Sequence, residues 1–200
     1  MTMEILPILP GVFYIFPQLT KQPMATFNAM NIISEKEDGV AFVNEILPMT
    51  PSQYILQKIV VGFLCGSLSS IVTAGLCFRL SWQNVGIMFV LIVLSSFVAA
   101  LIGLFIGKLS ENLMIGVVYI KIVMLLFIAV PIVCALIGVS GPLAVICNLV
   151  PSQPAFEGIM ALSNERMGTA IKDAGILAAH CVAWFVLYVL ISTRRQKQTI

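Results

Sequence analysis

Charged residues are scarce in this sequence. Asp, Glu, Lys and Arg together make up 10% of the 200 residues, whereas hydrophobic residues make up 60%. A soluble globule of this length needs more polar surface than so few charged side chains supply. The formal net charge is only +2 and the cations are dispersed, so no basic stripe for nucleic acid is present. The composition therefore predicts an integral membrane protein and argues against a nucleic-acid partner.

Residue types that perform catalysis or hold metals are also few. The sequence has one histidine, and its five cysteines form no CxxC pair, so metal and redox sites have little support. An intramembrane enzyme would need a convergent nucleophile, base or metal ligand, and no Cys–His or His–acid spacing offers one. No GxxxxGK[ST] loop is present, so we predict no catalytic residue, cofactor site or metal site on this chain.

Long apolar segments predict an all-α membrane protein with about five transmembrane helices. Four of them have the length of a bilayer crossing: Ile55–Phe78, Val85–Ile106, Ile115–Val139 and Ala174–Ser192. They are expected to be helices, because an isolated strand in lipid would leave its backbone groups unpaired. A fifth segment, Ile5–Ile33, is interrupted by prolines and polar residues. It is either one bent, partly hydrated crossing or a short span followed by an interfacial helix.

A proline-marked region separates the last two of these four spans. The apolar run Leu143–Val150 follows Ser140-Gly141-Pro142 and ends at Pro151. Eight helical residues cover about 12 Å, which is much less than a crossing. We therefore predict a re-entrant or interfacial segment, followed by an amphipathic stretch, Ala155–Arg166, near the surface. Glu157, Glu165 and Arg166 are expected to form its solvated outer face, with gating or substrate contact as the alternative.

The distribution of cations favours one orientation of the polar segment, which we define as residues 34–54. Cytoplasmic loops of membrane proteins carry an excess of Lys and Arg. Placing the polar segment inside puts six cations in the cytoplasm and three outside. The internal set is Lys36, Lys58, Lys108, Arg194, Arg195 and Lys197, and the external set is Arg79, Arg166 and Lys172. We therefore predict a cytoplasmic polar segment and an external re-entrant region.

Two short patterns within the polar segment predict helices. Gly39 and Pro48 bracket Val40–Leu47, whose apolar residues recur at three- and four-residue steps, as in a short interfacial helix. After a turn, Thr50 is predicted to cap a new helix with Pro51 at its first position. The polar segment is therefore predicted to hold a short helix, a sharp turn and the start of a span.

These motifs resemble those of a known family. Glu35-Lys36-Glu37-Asp38-Gly39, followed by Leu47-Pro48-Met49-Thr50-Pro51-Ser52-Gln53-Tyr54, is similar to a signature of ABC-2 type transporter permeases. The similarity is to the fluoroquinolone-type export permease subgroup in particular, and it extends over residues 5–191. It implies one transmembrane permease domain, residues 1–200, in a multi-pass protein of the cell membrane, here a bacterial plasma membrane.

The resemblance implies a half-transporter that moves substrate out of the cell. Members of the family have six spans, dimerise with a second permease copy or a paralogue, and dock a cytoplasmic coupling helix into a separate ATP-binding cassette ATPase. ATP and Mg are then expected on that partner, and no cofactor on this chain. This sequence departs from the pattern because only five spans are found, so the usual first span is expected to be absent or supplied by another chain. The ATPase-coupling residues implied by the resemblance are Glu35, Lys36, Glu37, Asp38, Gly39, Val43 and Leu47.

A few polar residues at membrane depth leave alternatives open. Lys121 either extends to the headgroups, pairs with a neighbouring helix or lines a translocation pathway. His180 is either a hydrogen-bonded packing residue or a pathway residue, and Lys21 either lines a hydrated cavity or marks a surface interruption. Two GxxxG pairs, Gly62/Gly66 and Gly103/Gly107, fit helix packing within the chain or a subunit interface.

A second class of function stays open beside transport. A non-transporting membrane partner, such as an immunity or assembly protein, could present the same polar segment to another protein. Co-purification separates the two hypotheses. An ATPase whose hydrolysis responds to this chain supports the permease, and a stable complex without an ATPase supports the non-transporting partner.

Overall fold

The computed structural model describes residue 26 and residues 28–39, 51–77, 82–138 and 142–196. Within these ranges the regular structure is entirely helical, as the composition predicts. The first described helix, α1, covers residues 28–37. Six further helices follow, namely α2 (Pro51–Cys77), α3 (Trp82–Leu109), α4 (Leu113–Ile137), α5 (Pro142–Cys147), α6 (Ser152–Ser163) and α7 (Met167–Gln196).

Four of the described helices are long and apolar enough to cross a membrane, which confirms the four long spans predicted above. Their apolar parts are Gln57–Leu76, Asn84–Leu109, Leu113–Ile137 and Met167–Leu190. The last span begins seven residues earlier than predicted, because the more polar stretch before Ala174 continues the same helix. The start of α2 at Pro51 also matches the prediction, since proline's fixed φ suits the first turn of a helix. Most of the fifth predicted span, Ile5–Ile33, lies outside the described residues.

Helix α3 is the central helix of the bundle. It packs against α2, α4, α6 and α7, and it contributes to each of the three buried apolar clusters. Toward its beginning, Leu91 packs with side chains of α6 and α7. Toward its end, Leu101 packs with Ile32 of α1 and Tyr188 of α7, and Ile106 packs in a cluster with Ile120 of α4. A displacement of α1 at that end therefore reaches α3 directly.

A tight turn joins α3 to α4 and makes them antiparallel neighbours. Ser110 is buried and its hydroxyl donates to Ile106 O at 2.6 Å. Asn112 is the N-cap of α4, with extended backbone angles, and its Oδ1 accepts from Ile115 N at 2.9 Å. At the other end, α4 stops at Gly138, whose φ of 63° is the left-handed conformation typical of a residue that follows a helix.

The proline-marked region contains two helices, one on each side of Pro151. The short helix α5 has six residues, too few for a crossing, and a turn over residues 148–151 separates it from α6. A re-entrant path for this region stays a prediction. The placement of α6 differs from the surface position expected for Ala155–Arg166, because α6 packs on α3, α4 and α7 and nine of its 12 residues are buried. Small residues explain the burial: at Gly158 an added Cβ would lie 3.0 Å from Leu91 Cδ1.

The acidic and basic residues of this region are divided between surface and interior. Glu165 and Arg166, after the end of α6, are exposed, as the sequence predicts. Glu157 is only partly exposed, and Gln153 Nε2 donates to its Oε1 at 2.8 Å. The solvated outer face therefore includes Glu165 and Arg166 but not all of Glu157.

Candidate functional site

The first half of the predicted coupling motif lies at the end of α1. The helix continues through Glu37 instead of stopping before the charged residues, so Glu35 is part of the same rod as Ile33. Asp38 N donates to Ser34 O at 2.9 Å, and Asp38 Oδ2 accepts from Ser34 Oγ at 3.2 Å. Gly39 then turns the chain with φ of +70°, a conformation that strains residues with a side chain. Residues 40–50, the rest of the motif, lie outside the described residues.

Three consecutive charged residues of α1 point in three directions. Neighbouring residues of a helix are separated by about 100°, so Glu35, Lys36 and Glu37 cover more than half a turn. Glu35 forms an ion pair with Lys58 of α2. Both side chains are mostly buried, with exposed fractions of 15% for Lys58 and 20% for Glu35. This pair ties the end of α1 to the first turns of the helix that follows the polar segment.

Lys36 binds the carboxyl end of α3. Its Nζ donates to Gly107 O at 2.5 Å, to Lys108 O at 3.1 Å and to Ser110 O at 3.1 Å. The last carbonyls of a helix have no partner within the helix and carry its negative dipole end, so an ammonium group is well suited to them. Lys36 therefore caps a neighbouring helix instead of standing free on the surface.

Glu37 binds the amino end of α4. Its Oε1 accepts from Leu113 N at 2.7 Å, next to the bond that the N-cap Asn112 makes with Ile115 N. The free amides and the positive dipole end of a helix favour a carboxylate at this position. We use "charged junction" for Glu35, Lys36 and Glu37 with these partners on α2, α3 and α4. Through it, one short rod is bonded to three helices.

Below the charged junction, α1 packs closely on glycines of the same three helices. An added Cβ at Gly62 of α2 would lie 2.0 Å from Asn28 Nδ2, and one at Gly116 of α4 would lie 2.2 Å from Ile33 Cδ1. At Gly107 of α3 the nearest atom would be Ile32 Cβ, at 2.9 Å. All three distances are shorter than a normal contact between heavy atoms, so only glycine lets α1 approach this closely.

This packing bears on the two GxxxG pairs. Gly62 and Gly107 both meet α1 of the same chain, which supports the intrachain alternative for these two glycines. Gly116 is not part of a GxxxG pair and was not predicted from the sequence. It lies four residues after Asn112, the N-cap of α4, and the first turn of α4 packs against α1 at this position.

Comparison with known protein families shows to which family the chain belongs. Residues 4–190 match the family described as "ABC-2 family transporter protein". The chain belongs to the ABC-2 transporter family. Comparison with curated proteins and with solved structures gives no match. Family membership and the four apolar helices together make the chain a multi-pass membrane protein and a membrane component of a transporter, the kind of component that typically works with an ATPase partner.

Two of the remaining predicted site residues of this ABC-2 chain, Lys121 and His180, lie among the residues that the structure describes. Lys121 has an exposed side chain on α4, and His180 Nε2 lies 2.8 Å from Asn148 O in the turn before α6. The hydrogen bond of His180 agrees with its packing alternative, while the pathway alternative for both residues stays a prediction. Val43, Leu47 and Lys21 lie outside the described residues. The structure thus brings together Glu35, Lys36 and Glu37, with Asp38 and Gly39 directly after them.

Proposed function

We propose that this ABC-2 chain is the permease subunit of an ATP-binding cassette exporter, driven by ATP and Mg bound to a separate ATPase. The observation that carries the proposal is the position of the charged junction. Glu35, Lys36 and Glu37 bind three transmembrane helices immediately before the predicted coupling helix, residues 39–47. A push delivered to that segment reaches the bundle through these bonds.

The geometry supports a division of labour within the coupling motif. Glu35, Lys36 and Glu37 use their charged groups for contacts inside the chain, so they are suited to transmit movement. Gly39 sets the direction in which the coupling helix leaves, and Val43 and Leu47 are proposed to contact the ATPase. A two-state bundle can then respond as a unit, since packed helices move between discrete arrangements. ATP-driven closure would shift α1 and, through the charged junction, the ends of α2, α3 and α4.

Several finer features belong to the same proposal. The charged junction faces the cytoplasm, in agreement with the positive-inside distribution of Lys36, Lys58 and Lys108. The chain pairs with a second permease copy or a paralogue in the bacterial plasma membrane, and it belongs to the fluoroquinolone-type export subgroup. Lys21, Lys121 and His180 are the proposed pathway residues. Four spans are described, and the segment 5–33 is proposed as a fifth.

Co-purification with an ATP-binding cassette ATPase from the same organism tests the proposal. The wild-type complex should hydrolyse ATP at a rate that changes when the permease is present. Leu47→Asp should abolish co-purification, because it puts a charge on the apolar face of the coupling helix. Glu37→Ala should keep the complex but reduce the permease-dependent change in ATP hydrolysis, because the bond to Leu113 N is lost.

Glu111→Ala is the matched control for Glu37→Ala. Glu111 is an exposed acid in the turn between α3 and α4, so it lies at the same end of the bundle. Its removal should leave both co-purification and ATP hydrolysis unchanged. A stable complex with another protein and no ATPase would instead favour the non-transporting partner. Equal effects of Glu37→Ala and Glu111→Ala would contradict the role of the charged junction in transmission.

A further inference from the structure

A pair of carboxylates lies near the end of the bundle opposite to the charged junction. Asp173 is near the start of α7 and is 3% exposed, and its Oδ2 is buried without a hydrogen-bond partner. Glu157 of α6 is partly exposed. In the part of the chain that the structure describes, neither carboxylate forms an ion pair with a lysine or arginine. Neither is used by the coupling mechanism above.

The packing of α6 on α7 brings the two acids to one place. A Cβ added at Gly158, the residue after Glu157, would lie 3.3 Å from Asp173 Cβ. Gln153, one helical turn before Glu157, joins the same group because its Nε2 donates to Glu157 Oε1 at 2.8 Å. With the amide nitrogen turned to the carboxylate, the amide oxygen Oε1 is buried and has no donor, and the residue is 3% exposed.

The group formed by Asp173, Glu157 and Gln153, which we call the acceptor cluster, offers oxygens without a matching donor. A buried acceptor without a hydrogen bond is costly, and a buried charge without a partner is more so. Within a membrane-spanning helix an unpaired carboxylate marks a functional site by default. Lys172 precedes Asp173 in the chain, but its side chain is exposed and makes no ion pair with Asp173. The missing component is a positively charged hydrogen-bond donor.

We propose that the acceptor cluster binds a primary ammonium group. An ammonium carries one positive charge and three N–H donors, which suits two carboxylates and one amide oxygen. A divalent metal is a poorer match, since calcium takes six to eight oxygen ligands. Among the described residues, no group of three His, Cys, Asp or Glu could hold a metal ion.

This binding is a property of the chain by itself and goes beyond the proposed function. It needs neither the ATPase nor the coupling helix, so its failure would leave the permease assignment intact. The ammonium has two sources, a soluble alkylamine or the headgroup of phosphatidylethanolamine. Both present the same chemistry to Asp173 and Glu157, and the lipid composition of the test separates them.

Thermal unfolding of the purified full chain in phosphatidylcholine nanodiscs tests the site, because a ligand of the folded state raises the unfolding temperature. Hexylammonium should raise it, and hexyltrimethylammonium, which has the same charge but no N–H donor, should not. Asp173→Asn and Gln153→Leu should each raise the hexylammonium concentration needed for half-maximal stabilisation about tenfold or more, since hydrogen bonds to charged groups are strong. Glu165→Gln, an exposed acid after α6, is the matched control and should bind as the wild type does.

The same measurement identifies the source of the ammonium group and the results that would overturn the proposal. If phosphatidylethanolamine nanodiscs already stabilise the wild type and hexylammonium adds nothing, the ligand is the lipid headgroup and the proposal stands. Equal stabilisation by hexylammonium and hexyltrimethylammonium would overturn the proposal. Stabilisation by sodium chloride relative to choline chloride, without any response to hexylammonium, would overturn it as well. A response to pH alone would assign the carboxylates to a shared proton and overturn it as well. Unchanged binding in both Asp173→Asn and Gln153→Leu would remove the site from this cluster.

Discussion

Gly116→Ala should force α1 and α4 apart, and a second substitution should reverse the effect. The added methyl group would lie 2.2 Å from Ile33 Cδ1, whereas carbon atoms in contact are normally about 3.5–4.0 Å apart. Ile33 is 0% exposed, so its side chain can move away from the added methyl group only within the protein interior and not into solvent. The other nearby atoms, Ser110 Oγ at 3.4 Å and Ile33 Cγ1 at 3.5 Å, are tolerable contacts. The clash therefore rests on one methyl group of Ile33.

The size of the effect follows from this single clash. Overpacking a tight contact costs about 1–3 kcal/mol, which we expect for Gly116→Ala. Ile33→Val alone removes the clashing carbon and leaves a small void, at a cost of about 0.5–1.5 kcal/mol. In the double variant the alanine methyl occupies that void. The double variant should therefore be at least as stable as Ile33→Val, with a coupling of about 1–2 kcal/mol between the two sites.

Reversible unfolding of the purified protein in mixed micelles, titrated with a denaturing detergent, measures these free energies. Gly86→Ala is the matched control, because Gly86 lies in α3 with nothing within 4 Å of an added Cβ. It should be neutral or slightly stabilising, since alanine is the better helix former. Additive effects of Gly116→Ala and Ile33→Val would show that the two side chains do not clash. So would a Gly116→Ala protein as stable as the Gly86→Ala control.

Three further predictions use the same titration. Gly107→Ala should also destabilise the protein, and Ile32→Ala should fail to restore it fully, because the closest atom is Ile32 Cβ at 2.9 Å, which alanine keeps; full rescue would contradict this. Glu35→Gln should cost about 0.5–3 kcal/mol through the mostly buried ion pair with Lys58, and the same cost measured in a Lys58→Met background would point to another cause. Glu165→Gly should stabilise the protein by about 0.5 kcal/mol, because Glu165 has a φ of 57° and this left-handed conformation is higher in energy for residues with a Cβ than for glycine. A loss of stability would contradict that strain.

Much of the fold can be predicted from the sequence because lipid limits the choices. Long apolar runs must be helices, so the four spans follow from length and composition. The start of α2 at Pro51 follows from proline's fixed φ, and the break before α6 follows from Pro151. The buried position of α6 could not be predicted in this way. Glu157 within it and the charged residues after it suggested a surface helix, and only packing against three other helices shows that its small residues face the core.

The candidate sites likewise have some features that can be predicted from the sequence and others that cannot. The sequence shows the charged run after Ile33 and the turn residue Gly39. It also shows that both lie directly before a predicted short amphipathic helix. The partners of these charges are not visible, since Lys36 meets carbonyls more than 70 residues away and Glu37 meets Leu113 N. The pairing of Glu157 with Asp173 was also missed. In the sequence they are two separate acids on two segments, and neither has a local motif.

Composition and local pattern are enough to predict that the described residues form helices, that four of these helices are long and apolar enough to cross a bilayer, and that a charged segment precedes the first of the four. Hydrophobic length and backbone hydrogen bonding are local constraints, and they act on each segment whatever its neighbours are. The three-dimensional fold is what brings Glu35, Lys36 and Glu37 to three different helices and packs α1 against glycines of those helices. Such contacts depend on the distance between backbones that are far apart in the chain, and no local pattern encodes that distance.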